Sequence, residues 1–204
     1  YVWWYDTWKY IKNSSQINFE FKNIRFSRVL KEMKQKIRCF NELKNLILSM
    51  EQNDQETFIQ QAIQKKHKEN HKKLFLNWDQ IFKLDKHPLI TIGSHTLSHP
   101  NLKKENYYNS RNQILKSKEI IEKKLMHPIK YFAYPYGTEN AVSEREIELV
   151  KNSGYNAAFT TMCQPPNRTS LFNISRLALT DEYNKKNFLI RAQGLSNFLS
   201  KQVV

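Results

Sequence analysis

Two histidines that could share a metal ion lie in the segment Gly93–Pro100, which reads GSHTLSHP. His95 and His99 are four positions apart, a spacing that brings both side chains to one face wherever the chain makes a helical turn. Neutral imidazole nitrogens are common ligands of zinc and related divalent ions. The same spacing is compatible with two polar residues that close a turn, so the pair alone does not decide between a metal site and a structural one.

The residues before this pair favour the metal site. Leu89–Gly93 is a short apolar, β-branched run typical of a β-strand, so both histidines follow the predicted carboxyl end of a strand. In α/β folds, catalytic and binding residues lie at that end of the sheet. His67 and His71 are also four positions apart, but they lie in the basic run 65–73 without a preceding strand. We interpret that second pair as exposed side chains.

A turn predicted at the end of a second strand forms another candidate group. Lys130–Tyr134 reads as the strand, and Tyr134, Pro135, Tyr136 and Gly137 form the turn that ends it. The sequence pattern is also compatible with an ordinary loop of proline and glycine after a strand. The turn gains significance only if the fold brings it to the histidines.

The first third of the chain is predicted to be helical. From Phe26 to Met50, apolar residues recur at steps of three and four, which predicts one long amphipathic helix with a lysine-rich outer face. A shorter helix is expected after Asn53 and Asp54, with its apolar residues turned inward. These apolar stripes are typical of a hydrophobic core and not of a cofactor site.

From Asn77 onward, predicted helices and strands alternate. The expected helices cover residues 78–84, 104–126, 143–154 and 184–200, and the expected strands cover residues 89–93, 130–134, 156–161 and 174–179. The helix at 143–154 has the clearest boundaries, with a Ser143–Glu146 capping box and Gly154 at its end. Such alternation predicts a parallel sheet whose right-handed crossovers gather the strand carboxyl ends on one side. The histidine pair and the Tyr134–Gly137 turn should therefore meet there.

The composition bounds the class of protein. With 204 residues, of which 40% are hydrophobic and 13% aromatic, the chain is long enough for one sizeable core and is not typical of a disordered protein. The net charge of +14 is spread over amphipathic helices without a recognised nucleic-acid-binding motif, so we expect no specific nucleic-acid partner. Peripheral contact with an anionic envelope polymer or membrane surface is compatible with this charge.

Cysteine usage and targeting signals add little. Cys39 and Cys163 are far apart and lack C-x-x-C spacing, which argues against a zinc knuckle or redox motif. No apolar run reaches the roughly 18 residues of a membrane span, and the N-terminal residues lack the layout of a signal peptide. The chain begins with Tyr1 and not with Met, which is compatible with further residues upstream.

Three pieces in order resemble the NodB-homology polysaccharide deacetylases. They are Gly93–His99 (GSHTLSH), Phe132–Gly137 (FAYPYG) and Ser143–Tyr155 (SEREIELVKNSGY). Their order and spacing are far more specific than the histidine pair alone, and the resemblance covers about residues 78–179. It divides the chain into residues 77–204, the C-terminal part of a deacetylase domain, and residues 1–76, a mainly helical insertion packed on the barrel.

The resemblance implies an α/β fold of the incomplete or distorted (β/α) barrel type. It further implies hydrolytic removal of acetyl groups from an N-acetylated polysaccharide, outside the cytoplasm or in the cell envelope. Members of the family use a divalent metal ion, here expected to be zinc, held by one aspartate and two histidines. The resemblance makes His95 and His99 the two histidine ligands. An open position on the metal then serves a water molecule that attacks the amide carbonyl.

The resemblance also assigns roles in the turn. Tyr134, Pro135 and Gly137 would line the substrate cleft, and the Tyr136 backbone N–H would stabilise the oxyanion of the transition state. Many members carry an arginine before this turn, where this chain has Ala133, as does a subgroup that acts on partly deacetylated exopolysaccharides. Arg176 is a candidate to supply the guanidinium from a later strand, with a surface arginine at a strand edge as the equal alternative.

Two family elements are missing. No Asp-Asp pair occurs in the chain, whereas the family's first motif supplies both the aspartate ligand and the catalytic base from such a pair. The late Leu-x-Ile-x-His motif, which supplies the general acid, is also missing because no histidine follows His127. We interpret His127 as a helix C-cap, while Asp181 and Glu182 are either cleft residues or solvated loop carboxylates.

Three functional hypotheses follow from these observations. The first is a metal-dependent polysaccharide deacetylase of which this chain is the C-terminal part. The second is a catalytically inactive carbohydrate-binding relative, because two histidines alone leave a tetrahedral ion half-coordinated. The third is a basic nucleic-acid binder, which would show a steep loss of affinity with salt.

We predict that the 204-residue chain by itself binds zinc weakly through His95 and His99 and releases little or no acetate from chito-oligosaccharides. The reason is the missing aspartate ligand and base. Acetate release under zinc supplementation measures this directly. Robust metal-dependent turnover by the chain alone would contradict the prediction.

Overall fold

The computed structural model describes residues 3–64, 75–162, 170–176 and 188–189. The helices and strands, in chain order, are α1 (Trp3–Asn13), β1 (Gln16–Phe21), β2 (Ile24–Val29), α2 (Met33–Ser49), α3 (Gln52–Phe58), α4 (Trp78–Asp85), α5 (Tyr107–Leu125), β3 (Tyr131–Ala133), α6 (Glu144–Asn152), β4 (Ala157–Thr160) and β5 (Ile174–Ser175). A π-helical turn, Ile59–Gln64, continues α3, and a 3₁₀ turn covers Leu102–Lys104. These elements enclose two hydrophobic cores.

The N-terminal core is formed by α1, α2, α3 and the β1–β2 hairpin. Strand β1 reads QINFEF, and its alternation turns Ile17, Phe19 and Phe21 to one face. Phe19 stacks on Phe26 of β2 with ring centroids 4.9 Å apart and meets the edge of Phe58 at 4.8 Å. The hairpin thus buries an aromatic face against the end of α3.

The predicted helix over residues 26–50 is wrong at its start. Ile24–Val29 instead forms β2, which pairs antiparallel along the whole of β1. This pairing provides main-chain hydrogen bonds to both strands and buries their aromatic side chains together. A helix that started at Phe26 would leave β1 without this partner strand. Helix α2 begins only at Met33, where the Gln35 side chain accepts a hydrogen bond from the Glu32 N–H. The remainder of the predicted helix, and the shorter helix after it, are confirmed.

The C-terminal core lies on a parallel sheet. Strands β3, β4 and β5 pair in that order, and both pairs are parallel, as the alternating pattern predicts. Helix α6 connects β3 to β4, and α5 packs beside α6. Phe132 of β3, Ala158 of β4, Ile114 of α5 and Val150 of α6 are all fully buried. The sheet therefore has a firm helical cover below the strand ends that carry the candidate site.

The strand predicted at Leu89–Gly93 is wrong as a full strand. The segment joins the sheet only through a single parallel bridge from Ser94 to β3. The Ser94 N–H donates to the Tyr131 carbonyl and the Ser94 carbonyl accepts from the Ala133 N–H, both at 2.9 Å. Leu89 is 88% exposed, because within the described residues no further strand covers this run. The bridge nevertheless fixes the point where the histidine segment begins.

The helix ends follow the capping signals in the sequence. The Asn106 side chain caps α5 by accepting from the Asn109 N–H at 2.8 Å. The predicted capping box of α6 is present, since the Glu146 carboxylate accepts from the Ser143 N–H at 2.9 Å. Gly154 follows α6 with φ of +73°, as predicted for the left-handed residue at its end. Helix α4 is likewise confirmed.

His127 does not cap α5. Met126, with φ of 60°, ends that helix, and the His127 Nε2 lies 2.7 Å from the Asp85 carboxylate of α4. The hydrogen bond to Asp85 raises the pKa of His127. A neighbouring carboxylate thus holds the side chain away from the last helical carbonyls.

The two cores meet at the start of α3. The Glu105 carboxylate accepts a hydrogen bond from the Gln52 N–H at 2.9 Å, and the Gln52 side chain donates to the Ser98 hydroxyl at 2.6 Å. Ser98 lies in the histidine segment. The N-terminal half therefore contacts the candidate site directly.

Several predictions lie outside the described residues. They are the exposed state of His67 and His71, the position of Cys163, the end of the strand at 177–179, the placement of Asp181 and Glu182, and the closing helix, of which only residues 188–189 are described. Within the described part of the chain, no helix is both long and apolar enough to cross a bilayer.

Replacing Ile114 by alanine is expected to lower the free energy of unfolding by about 2–5 kcal/mol, because it leaves a cavity beneath the sheet. Ile114 is 0% exposed, whereas Ile120 on the same helix is 46% exposed and serves as the control. The Ile120→Ala change should alter stability by no more than about 0.5 kcal/mol. Urea unfolding of the three proteins measures both effects, and equal losses would contradict the assignment of this core.

Candidate active site

The candidate site is built on the segment that follows the Ser94 bridge. Ser94 is buried, and its hydroxyl lies 2.7 Å from the Ser117 hydroxyl of α5. His95 comes next in the chain and projects from the end of this anchored segment. The segment up to His99 is not helical. The spacing of the two histidines therefore does not bring them together by way of a helical turn.

Two strained residues bring the histidine rings together. Thr96 and His99 both have left-handed backbone conformations, with φ of 68° and 61°. Such a conformation is rare for residues other than glycine and costs about 1–3 kcal/mol. The Thr96 hydroxyl accepts a hydrogen bond from the His99 N–H at 3.0 Å and so supports the turn. Backbone strain of this kind clusters at functional sites.

The rings of His95 and His99 form an edge-to-face pair, with centroids 4.8 Å apart. The Nδ1 of His95 lies 2.6 Å from the Ala133 carbonyl. Because a carbonyl only accepts, this nitrogen must carry the proton, and Nε2 is left with its lone pair. The Nδ1 of His99 is buried and has no hydrogen-bond partner among the residues that the structure describes. Each ring thus has a nitrogen available to a ligand.

Both histidines are held in the neutral form. Burial, with a smaller contribution from the adjacent His95, lowers the pKa of His99 to about 4. Burial also lowers the pKa of His95, although its carbonyl hydrogen bond opposes the shift and its side chain keeps contact with solvent. The charge of Arg176 acts in the same direction on both rings. Neutral imidazoles are the form that binds metal ions.

The Tyr134–Gly137 turn packs against this pair. Tyr134 is fully buried, and its hydroxyl donates to the Phe172 carbonyl at 3.1 Å. The ring of Tyr136 lies 4.7 Å from that of His99, and its backbone is left-handed, with φ of 60°. Among the residues that the structure describes, none accepts a hydrogen bond from the Tyr136 N–H. Sequence and fold therefore bring the predicted turn and the predicted histidines together.

Gly137 is the point where this turn touches the end of β4. Its φ is +66°, and a Cβ placed there would lie 2.7 Å from the Thr161 main-chain nitrogen. The Gly137 carbonyl accepts from that Thr161 N–H at 2.8 Å, and the Thr161 hydroxyl donates to the Tyr136 carbonyl at 2.8 Å. Only glycine fits this close approach of two backbones.

Arg176, which follows β5, holds the Tyr134–Gly137 turn through hydrogen bonds. Its Nη2 donates to the Tyr134 carbonyl at 3.0 Å, and its main-chain N–H donates to the Thr160 carbonyl at 2.7 Å. Burial lowers the pKa of the guanidinium. The side chain is thus occupied with main-chain carbonyls of the turn while its charge stays close to the histidines.

Sequence reasoning missed several residues that shape the site. Trp4 of α1 lies 5.7 Å from His99, measured between ring centroids. Gln113 of α5 accepts from the Leu97 and Ser98 N–H groups at 3.0 and 3.2 Å and so holds the loop between the histidines. A glutamine in the middle of a helix gives no signal of such a role. The clustered tryptophans of α1 were the only available hint for Trp4.

The residues present suit part of a metal centre. Two neutral imidazoles with free nitrogens match what zinc requires of histidine ligands, and the carbonyl bonded to His95 Nδ1 is the usual partner of a metal-bound histidine. Across the described ranges, however, no three side chains of histidine, cysteine, aspartate or glutamate lie together. The described site therefore fits two ligands of a metal ion and not a complete set.

Replacing Gly137 by alanine should destabilise the protein by clearly more than replacing Gly154. Both residues have left-handed φ values, which cost an alanine about 1–2 kcal/mol. At Gly154 the nearest atom is the flexible Lys118 Nζ at 3.3 Å, whereas at Gly137 the obstacle is backbone at 2.7 Å. Thermal or urea unfolding of both variants measures the difference. Equal losses would show that the turn does not press against β4.

The burial of neutral His99 should make stability depend on pH. The unfolded chain binds a proton with a pKa near 6.5 and the folded chain only near 4, so stability falls as the pH drops through this window. We expect His99→Asn to remove most of this dependence, since asparagine tolerates left-handed φ and does not titrate. Urea midpoints at neutral pH and at about pH 5 provide the comparison. An unchanged slope in the variant would contradict the burial of this ring.

Comparison with known proteins places this geometry in a family. The profile of the polysaccharide deacetylase family matches residues 25–158, which is well over half of the chain. A peptidoglycan-N-acetylglucosamine deacetylase of Bacillus cereus is 48% identical over 46 residues, which are 22% of this chain and 17% of that protein. The chain therefore spans less than a fifth of this relative.

Two solved structures of deacetylases are similar to part of this chain. A deacetylase of Streptococcus pyogenes, PplD, determined in complex with acetate, matches with a TM-score of 0.50 and 20% identity over 56% of this chain and 49% of that one. A polysaccharide deacetylase of Bacillus cereus gives a TM-score of 0.48 at 23% identity, over 56% and 35% of the two chains. The predicted fold, an α/β chain forming part of a NodB-type (β/α) barrel, is thus confirmed. Taken with the extent of the family match, it establishes that this chain belongs to the polysaccharide deacetylase family of hydrolases.

Proposed function

We propose that this chain carries the histidine part of a metal-dependent centre that removes N-acetyl groups from a polysaccharide. The observation that carries the proposal is the arrangement of His95 and His99, whose rings lie 4.8 Å apart. The ring of Tyr136 lies 4.7 Å from that of His99, and the Tyr136 main-chain N–H has no acceptor among the described residues. One part of this arrangement suits a cation and the other suits a developing negative charge. Metal-assisted hydrolysis of an amide uses both.

In this proposal, His95 and His99 bind a divalent metal ion, with zinc as the first candidate. His95 would bind through Nε2, since its Nδ1 proton is held by Ala133. Buried polar atoms are rarely left unpaired, so the unpartnered Nδ1 of His99 supports a ligand at this ring as well. When bound, such an ion lowers the pKa of a water molecule and supplies a nucleophile at neutral pH. The remaining ligands and the catalytic base would come from outside the described residues.

The Tyr136 N–H is proposed to stabilise the oxyanion of the reacting acetamide. Its left-handed backbone is fixed on one side by the Gly137–Thr161 contact and on the other by the strand pairing of Tyr134, whose N–H donates to the Phe159 carbonyl. A donor held in this way needs no rearrangement when negative charge develops, which is the basis of electrostatic stabilisation.

Arg176 is proposed to position the turn. This role is added to the one predicted from the resemblance, in which Arg176 supplies a catalytic guanidinium. Its contact with the Tyr134 carbonyl holds the segment that carries Tyr136. Tyr134, Pro135 and Gly137 would shape the floor of the cleft, since all three are buried. Their part in substrate binding remains a prediction.

The wider biological setting is proposed from the family and the charge. An N-acetylated polysaccharide substrate places the protein outside the cytoplasm or in the cell envelope. The net charge of +14 would then draw it to anionic polymers or membrane surfaces nearby. The division into an insertion at residues 1–76 and a deacetylase portion at 77–204 also remains a proposal.

A catalytically inactive carbohydrate-binding relative is the second candidate. It is favoured by one observation, namely that the described residues offer no third metal ligand beside the histidine pair. In that case the same cleft would bind the sugar without hydrolysing it.

Acetate release from an N-acetylated chito-oligosaccharide by the natively expressed protein separates these candidates. We expect release that is abolished by a chelator and restored by zinc. The His95→Ala variant should lose activity by about a hundredfold or more, as expected when a metal ligand is removed. His127→Ala is the matched control, because this exposed histidine pairs with Asp85 away from the pair. Binding of the oligosaccharide without any metal-dependent release would support the inactive relative.

A further inference from the structure

A second concave site lies beside the histidine pair and has no role in the proposed hydrolysis. It is a cavity of about 630 Å³ between α2 and the loop that follows the Tyr134–Gly137 turn. Asn45 of α2, Asn101, the two lysines of the 3₁₀ turn and Asn140 line it together with Tyr136. This volume falls in the usual range of about 300–1,000 Å³ for sites that hold small ligands.

The cavity is lined by buried polar groups. Asn101 is 6% exposed, and its side-chain amide donates to the Asn140 carbonyl at 3.3 Å. Its Oδ1 accepts no hydrogen bond from the part of the chain that the structure describes. The Tyr136 hydroxyl is also buried, with the Trp3 side chain as its polar neighbour. Buried polar atoms are rarely left unpaired in proteins. The Asn101 Oδ1 therefore offers a position that a ligand hydroxyl group would satisfy.

The charged side chains that line the cavity are all positive. Lys103 and Lys104 contribute two ammonium groups, and none of the described lining residues is acidic. The Lys103 Nζ donates to the Glu139 carbonyl at 2.9 Å, which holds this ammonium group at the wall of the cavity. Amides and a tyrosine suit sugar hydroxyl groups, and lysines suit a carboxylate or phosphate. The combination fits an anionic sugar better than a neutral one.

The cavity also shares a wall with the candidate active site. Tyr136 lines the cavity, and its ring lies 4.7 Å from that of His99. A polymer with one unit at the histidines would therefore place a neighbouring unit in the cavity. Helix α2 supplies the opposite wall, so the N-terminal half of the chain completes this second site.

We infer that the cavity between α2 and Tyr136 binds a negatively charged sugar unit, next to the unit that presents its acetamide to the histidines. The inference rests on the proposed function in that both units belong to one polysaccharide. Binding to the cavity, however, does not require the hydrolytic reaction. The charged group is a carboxylate or a phosphate on the sugar, which the lysines bind by the same contacts.

Calorimetric titration of the chain with three tetrasaccharides tests the inference. The first is neutral N-acetylchitotetraose, the second alternates N-acetylglucosamine with glucuronic acid, and the third is chitotetraose phosphorylated on one unit. We expect one or both anionic ligands to bind about tenfold more tightly than the neutral one, and this preference to shrink as salt is raised. Whichever of the two anionic ligands binds more tightly shows whether the cavity prefers a carboxylate or a phosphate.

Lys104→Gln should weaken binding of the preferred anionic ligand about tenfold and leave neutral N-acetylchitotetraose unaffected. Lys103→Gln should act in the same direction. The control is Lys83→Gln on α4, an exposed lysine that does not line the cavity. Folding of each variant is confirmed by its urea midpoint.

The inference is overturned if the three ligands bind equally, if none binds, or if Lys83→Gln weakens binding as much as Lys104→Gln. Acetate release is measured separately on the natively expressed protein, because the 204-residue chain by itself is expected to release little or none. Charge-selective binding without acetate release would retain the anionic subsite and reject the proposed hydrolysis. Acetate release without charge-selective binding would retain the proposed hydrolysis and reject the anionic subsite.

Discussion

The arrangement of the site depends on the bridge that joins Ser94 to β3. Two main-chain hydrogen bonds, from Ser94 to Tyr131 and from Ala133 to Ser94, fix the segment just before the first histidine. The Ala133 carbonyl then accepts the Nδ1 proton of His95, so the same short strand sets both the backbone position and the tautomer of the ring. Without this bridge, the histidine segment would be held by side-chain contacts such as those of Ser117 and Gln113, and not by the sheet.

Strain and close backbone contact complete the geometry. Thr96, His99 and Tyr136 all adopt left-handed conformations, and the three lie around one pair of rings. Such conformations persist only where surrounding contacts enforce them. The enforcing contacts here are Gln113 on the histidine loop and Arg176 on the turn. Helix α5 and the end of β5 thus supply the contacts that stabilise these strained backbone conformations.

Sequence reasoning succeeded where a local signal coincided with the tertiary structure. The capping box of α6, the parallel strands β3 and β4, and the meeting of the histidines with the Tyr134–Gly137 turn all follow from short patterns and from the geometry of parallel sheets. The β1–β2 hairpin was missed because Ile24–Val29 has apolar spacing that also fits a helix, and only pairing with β1 decides between them. The run Leu89–Gly93 has strand-like residues but gains only a single bridge, since pairing depends on neighbours that a local pattern does not reveal. The supporting contacts of Gln113 and Trp4 arise from tertiary packing alone.

The account rests on the claim that His95 and His99 bind one metal ion together. X-ray absorption spectroscopy of the zinc-loaded protein tests it most directly. The account predicts scattering from two imidazole ligands at about 2.0–2.1 Å, reduced to one ligand in either single alanine variant and unchanged in His127→Ala. A zinc environment without imidazole, or one that persists when both His95 and His99 are replaced, would contradict it.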